Sequence, residues 1–105
     1  MEHFHRSALD VDELPGRAIQ RAVGKGAHSA SGKMTVGFAT YAKQYGPMEP
    51  HHHAEEVIYV VDAKNAWVEW GPAKDQLTHR ADLSAGSMLH VPSLEKVCAF
   101  TEALL

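Results

Sequence analysis

The sequence is short of paired cysteines, of long apolar runs and of clustered basic residues, and each shortage excludes a class of protein. Cys98 is the only cysteine, so a secreted scaffold held by internal disulfides is excluded and a reducing, cytoplasmic location is expected. No stretch approaches the ~18 apolar residues of a membrane span, and the first residues lack the apolar segment of a signal peptide. The net charge is −3 with no basic block, which argues against nucleic acid as a partner.

What is present is the composition of one small soluble domain. The 105 residues are 45% hydrophobic and 22% charged, which is close to the globular average and far from that of disordered chains. Residues 1–15 are polar and end in a turn signal, Leu14-Pro15-Gly16, so we expect an N-terminal arm that is loose or covers a sheet edge. Residues 16–105 are then predicted to form a single domain.

The hydrophobic pattern predicts strands. β-branched and aromatic residues alternate in runs about ten residues apart, with Gly and Pro between them, which is typical of a β-sandwich or barrel. A helix is the alternative for residues 93–105, but a strand over residues 97–101 fits better. The fold class is therefore predicted as all-β with six or seven strands. The predicted strands cover residues 17–23, 34–41, 57–61, 66–70, 88–92 and 97–101, with a polar run over residues 76–83.

The chain is enriched in histidine, with eight among its 105 residues, and three of them are consecutive at the start of a predicted strand. Alternate residues of a strand share a face, so His51 and His53 can point the same way while His52 points the other way. A carboxylate from Glu55 or Glu56 can complete a site with two histidines and one carboxylate, which suits divalent transition metals. The competing interpretation is a solvated, histidine-rich surface turn.

These residues resemble the two sequence motifs of the cupins. Residues 46–61, Gly-Pro-Met-Glu-Pro-His-His-His-Ala-Glu-Glu-Val-Ile-Tyr-Val-Val, look like the first motif, and residues 86–93, Gly-Ser-Met-Leu-His-Val-Pro-Ser, look like the start of the second. The lead-in strands are also similar, so the likeness covers most of residues 14–100. The resemblance implies a double-stranded β-helix, the small jelly-roll barrel of the cupins, with a metal on His51, His53 and Glu56.

The sequence departs from the cupin pattern in three places. Only two residues separate His53 from Glu56, where the family has three or four, so His52 and Glu55 are alternative ligands. Val97 stands where the family has its third histidine, and His90 is either a replacement ligand or, with Tyr59, a residue that lines the pocket. The sequence after residue 97 is short for the closing strands, so either the barrel is open or a partner chain completes it. A homodimer is the expectation, because it would cover unpaired strand edges.

Two functions follow from the resemblance. The first is a metal-dependent enzyme, with Fe, Mn, Ni or Zn, that carries out oxygenation, isomerisation or lyase chemistry on a small organic acid or sugar-like molecule. The second is a non-catalytic module that binds a small ligand or a structural ion. A structural dimerisation domain with a vestigial site is the competing interpretation. Fold alone does not decide between them.

Overall fold

The computed structural model describes residues 1–46 and 55–92 with their side chains and residues 96–101 by their backbone. Strands dominate these residues, and their helical content is two single turns of 3-10 helix, Arg6–Ala8 and Lys43–Tyr45. The prediction of an all-β chain is confirmed. The strands are β1 (Asp12–Leu14), β2 (Arg17–Val23), β3 (Val36–Thr40), β4 (Glu56–Tyr59), β5 (Ala66–Gly71), β6 (His79–Leu83), β7 (Met88–Val91) and β8 (Lys96–Thr101).

The first sheet has the order β1-β2-β3 and is antiparallel throughout. The tight turn at Pro15-Gly16 joins β1 to β2, and Gly16 adopts a φ of 84°, a conformation that favours glycine. Segment 1–15 therefore supplies an edge strand, and its Leu9 is 5% exposed. The arm is bound to the sheet because Gln20 on β2 donates hydrogen bonds to the backbone oxygens of Arg6 and Leu9.

The second sheet has the order β6-β5-β8, again antiparallel. Residues 62–65 lead into β5, and Asn65 adopts a φ of 49°, which asparagine tolerates better than most residues. Residues 97–101, for which a helix was the alternative, lie within strand β8. The polar run at residues 76–83 forms a strand only from His79 onward.

The third sheet is the pair β4–β7, and it packs on the second through a small apolar core. Val68 of β5 and Val91 of β7 are 2% and 8% exposed. Partly buried apolar side chains from both sheets pack around them. The two sheets thus enclose one hydrophobic layer, as in a sandwich. The surrounding side chains are Ile58, Trp70, Ala81, Leu83 and Leu89.

Position 71 requires glycine because another part of the backbone passes very close to it. Gly71 ends β5, and a Cβ atom there would lie 1.8 Å from the backbone oxygen of Gln76. The turn that carries Gln76 folds directly over it, closed by a hydrogen bond from the Gln76 N–H to the Ala73 oxygen. Only glycine leaves room for this chain reversal between β5 and β6.

Over the described ranges 1–46, 55–92 and 96–101 the three sheets do not close into a barrel, so the jelly roll stays a prediction. Neither of the two short helices in these ranges is long and apolar enough to cross a membrane.

Candidate metal-binding region at the start of strand β4

Only part of the metal site predicted from the sequence lies within the described residues. His51, His52 and His53 lie outside the described residues. Glu55 immediately precedes β4, and Glu56 is its first residue. The structure therefore describes the two glutamates of the candidate site and the two residues of β7, His90 and Val91, that pair with this end of β4.

Strand β4 separates the two glutamates onto opposite faces. Exposure alternates along it, with Glu56 and Ile58 half-buried and with Val57 and Tyr59 exposed. Ile58 packs on the core, and Glu56 pairs in register with the buried Val91. Because residues two apart in a strand share a face, Glu56 lies on the side of the β4–β7 sheet that faces the core.

Glu55 lies on the outer side and is engaged by His90. The Glu55 Oε2 atom is 2.7 Å from His90 Nε2, and the two side chains are 68% and 60% exposed. His90 pairs in register with Val57, an outward residue of β4. The structure thus brings together two residues that are 35 positions apart, Glu55 and His90, both of them alternative ligands in the sequence analysis.

This arrangement separates His90 from Glu56. Directly opposed residues of two paired strands project to the same side of a sheet, so His90 shares a face with Val57, and Glu56 shares one with Val91. A metal bound to Glu56 from the core side is on the far side of the sheet from the His90 imidazole. Tyr59, the other predicted pocket residue, is 58% exposed on the same outer side as His90.

Val97, the position at which the cupin pattern predicts a third histidine, lies in a row of paired residues in the second sheet. Val97 of β8 and His79 of β6 both pair in register with Trp70, the central member of that row. Trp70 packs on the core, and its ring stacks on the His79 imidazole with centroids 5.3 Å apart and planes 15° apart. Sequence reasoning gave His79 no role, since the strand register that aligns it with Trp70 and Val97 is not visible in a single sequence.

His79 is held in this position by a second contact. The Thr78 hydroxyl lies 3.1 Å from His79 Nδ1, which leaves Nε2 as the other polar atom of the ring. Within the described part of the chain, no group of three or more His, Cys, Asp or Glu side chains is placed to hold a metal ion. A metal site with three such ligands would therefore include at least one side chain outside the described ones.

The chain was compared with protein-family models, with curated proteins and with solved structures, and no match was found in any of the three. A class for this protein consequently has to be argued from its own residues and their geometry.

Proposed function

We propose that this chain is a cytoplasmic, metal-binding cupin-like domain with a small jelly-roll fold. His51, His53 and Glu56 would hold a divalent ion, Fe, Mn, Ni or Zn, on the core-facing side of the β4–β7 sheet. The observation that supports this ligand set is the position of Glu56, which is half-buried on the core-facing side of β4 just after the histidine run. Imidazole nitrogen and carboxylate oxygen are suitable donors for each of these metals.

Glu56 is a better ligand candidate than Glu55 because of what surrounds it. Binding pockets in proteins are concave and largely shielded from water, and Glu56 lies beside the buried Val91. Glu55 lies on an exposed surface and already has a partner, the imidazole of His90. We therefore assign Glu55 and His90 to the outer surface and keep Glu56, with His51 and His53, as the metal ligands.

The remaining residues of the core-facing side suit a small polar ligand. A bound divalent ion would supply Lewis acidity or a platform for oxygen chemistry. Glu56 pairs in register with the buried Val91 and shares a face with Ile58, and Trp70, which packs on the same core, stacks on the His79 imidazole. A small organic acid or sugar-like molecule is the ligand class that such a pocket would take.

Three single variants test the ligand set. Tag-free protein is loaded with each divalent ion, dialysed and analysed for metal, in the wild type and in Glu56→Gln, Glu55→Gln and His90→Asn. Glu56→Gln is expected to lose metal by at least about tenfold in affinity, since a neutral amide is a much poorer ligand than a carboxylate. Glu55→Gln and His90→Asn are the matched controls and should retain it. Loss of metal from the controls, with retention in Glu56→Gln, would place the site on the outer face and overturn the assignment.

A non-catalytic binding module is the second candidate function. It is favoured by the position of the third expected histidine, which is Val97 in this chain, and by the location of His90 on the outer side of the sheet. The metal would be held by the same two imidazoles and one carboxylate, without a fourth ligand from position 97 or position 90. Metal-loaded protein that binds small carboxylic acids but turns over none of them, with or without oxygen, would select this function over oxygenase, isomerase or lyase chemistry.

A further inference from the structure

The outer side of the β4–β7 sheet carries a concentration of exposed apolar side chains. Val57, Tyr59 and Met88 are 64%, 58% and 61% exposed. Tyr59 and Met88 are direct register partners. The alternation of β4 continues past its end to Val61, which is 68% exposed. We call the surface formed by Val57, Tyr59, Val61 and Met88, with Glu55 and His90 at one end, the outer face.

The outer face contrasts with the small interior of the molecule. The described residues include eight exposed large apolar side chains, and four of them lie on this one surface. By the same measure the interior has six buried apolar residues, three of which are alanines. A two-stranded sheet has little stability unless its apolar surface is covered, and only the inner side of β4–β7 is covered by the core.

We propose that the outer face is the interface of a homodimer, in which the β4–β7 sheets of two copies pack face to face about a twofold axis. The four apolar side chains expose roughly 450 Å² in one copy, a size at which a surface patch is often functional. With a rim of neighbouring residues this approaches the ~800 Å² that each partner of a stable complex buries. A second copy supplies a matching apolar sheet of the same area, and sheets pack in this way about 10 Å apart.

The charges of the outer face are compatible with burial against another copy. Among its six residues the only carboxylate is Glu55, and it is already bonded to His90 within the same copy. Burial therefore leaves no unpaired carboxylate at the interface, which would be strongly unfavourable. The neighbouring Glu56 projects to the other side of the sheet, so the interface is independent of the proposed metal site.

The test is the molar mass of the full chain in solution, by size-exclusion chromatography with light scattering over a tenfold concentration range. Wild type is expected at twice the chain mass. Tyr59→Lys/Met88→Lys is expected to weaken the dimer at least about a hundredfold, since it places four ammonium groups at the centre of the interface. The matched control is Val11→Lys/Met34→Lys, which alters two residues that are 58% and 60% exposed and lie outside the outer face. This control should remain a dimer.

A second variant covers the case in which lysine disrupts the fold. Tyr59→Thr/Met88→Thr keeps β-forming residues in both strands but removes most of the apolar surface, and it should also be monomeric with an unchanged circular dichroism spectrum. A monomeric wild type would overturn the proposal and leave another occupant, such as the chain's own Leu104 and Leu105. A folded double variant that is still a dimer would overturn it as well, and so would a dimer that dissociates when EDTA removes metal.

Discussion

Glu55 and Glu56 are adjacent in the sequence, yet Glu55 is bonded to His90 on the outer side of the β4–β7 sheet while Glu56 lies on the core-facing side. Because adjacent residues of a strand project to opposite faces of the sheet, Glu55 takes part in a surface ion pair while Glu56 is a candidate metal ligand.

Val97→His should tighten metal binding by about tenfold or more, because an additional imidazole from strand β8 of the other sheet would join the site. Position 97 pairs in register with Trp70, which packs on the core, so it belongs to the same side of the molecule as Glu56. The measurement is a competition titration with a coloured chelator. Unchanged affinity would show that residue 97 is not at the site and would contradict the alignment with the second cupin motif.

The Glu55–His90 pair should contribute little to the free energy of unfolding. Both side chains are more than half exposed, and exposed ion pairs are typically worth about 0.2–1 kcal/mol. Urea unfolding of the metal-free Glu55→Gln, His90→Asn and double variants, each made in the Tyr59→Thr/Met88→Thr background that is expected to be monomeric, gives the coupling energy from a double-mutant cycle. A coupling energy several times larger than this range in that background would contradict the exposure of the pair in a single copy.

Val68→Ala should lower the free energy of unfolding by about 2–3 kcal/mol, because it leaves a cavity where both sheets meet. Val68 is 2% exposed and forms the buried centre of the core with Val91. Val11→Ala, at a residue 58% exposed, is the control and should change stability by less than about 0.5 kcal/mol. Equal effects of the two substitutions would mean that β5 does not pack against the β4–β7 sheet.

Gly71→Ala should destabilise the fold by about 1–3 kcal/mol, because the added methyl group overlaps the Gln76 backbone oxygen and forces the turn open. Gly32→Ala is the matched control, since a Cβ atom there meets nothing within 4 Å. Thermal unfolding followed by circular dichroism compares the two variants. If both unfold at the wild-type temperature, the reversal between β5 and β6 is more open than described.

The strands were predictable where apolar residues alternate between turn signals. Residues 17–23 and 66–70 follow this pattern, and the observed strands there agree to within one residue. Segment 1–15 was less predictable, because β1 is held by pairing with β2 rather than by its own composition, and the residues before β1 are held by Gln20 of β2. A strand edge of that kind depends on distant residues, so a local pattern does not reveal it.

Part of the candidate site was also predictable. The strand that follows the histidine run was visible in the sequence, but the position of His90 was not, because it depends on which residues of β4 and β7 are paired. The stacking of His79 on Trp70 follows from the register of β5 and β6 in the same way. The alternatives Glu55 and Glu56 could not be separated until the faces of β4 were known.

The most direct test of the central proposal is elemental analysis of tag-free protein, beside a His51→Ala/His53→Ala variant prepared in the same way. The proposal predicts close to one divalent ion per chain in the wild type and loss of that ion in the variant, with an unchanged circular dichroism spectrum. Metal in neither protein after incubation with Fe, Mn, Ni and Zn, or equal metal in both, would contradict a metal site built on these histidines.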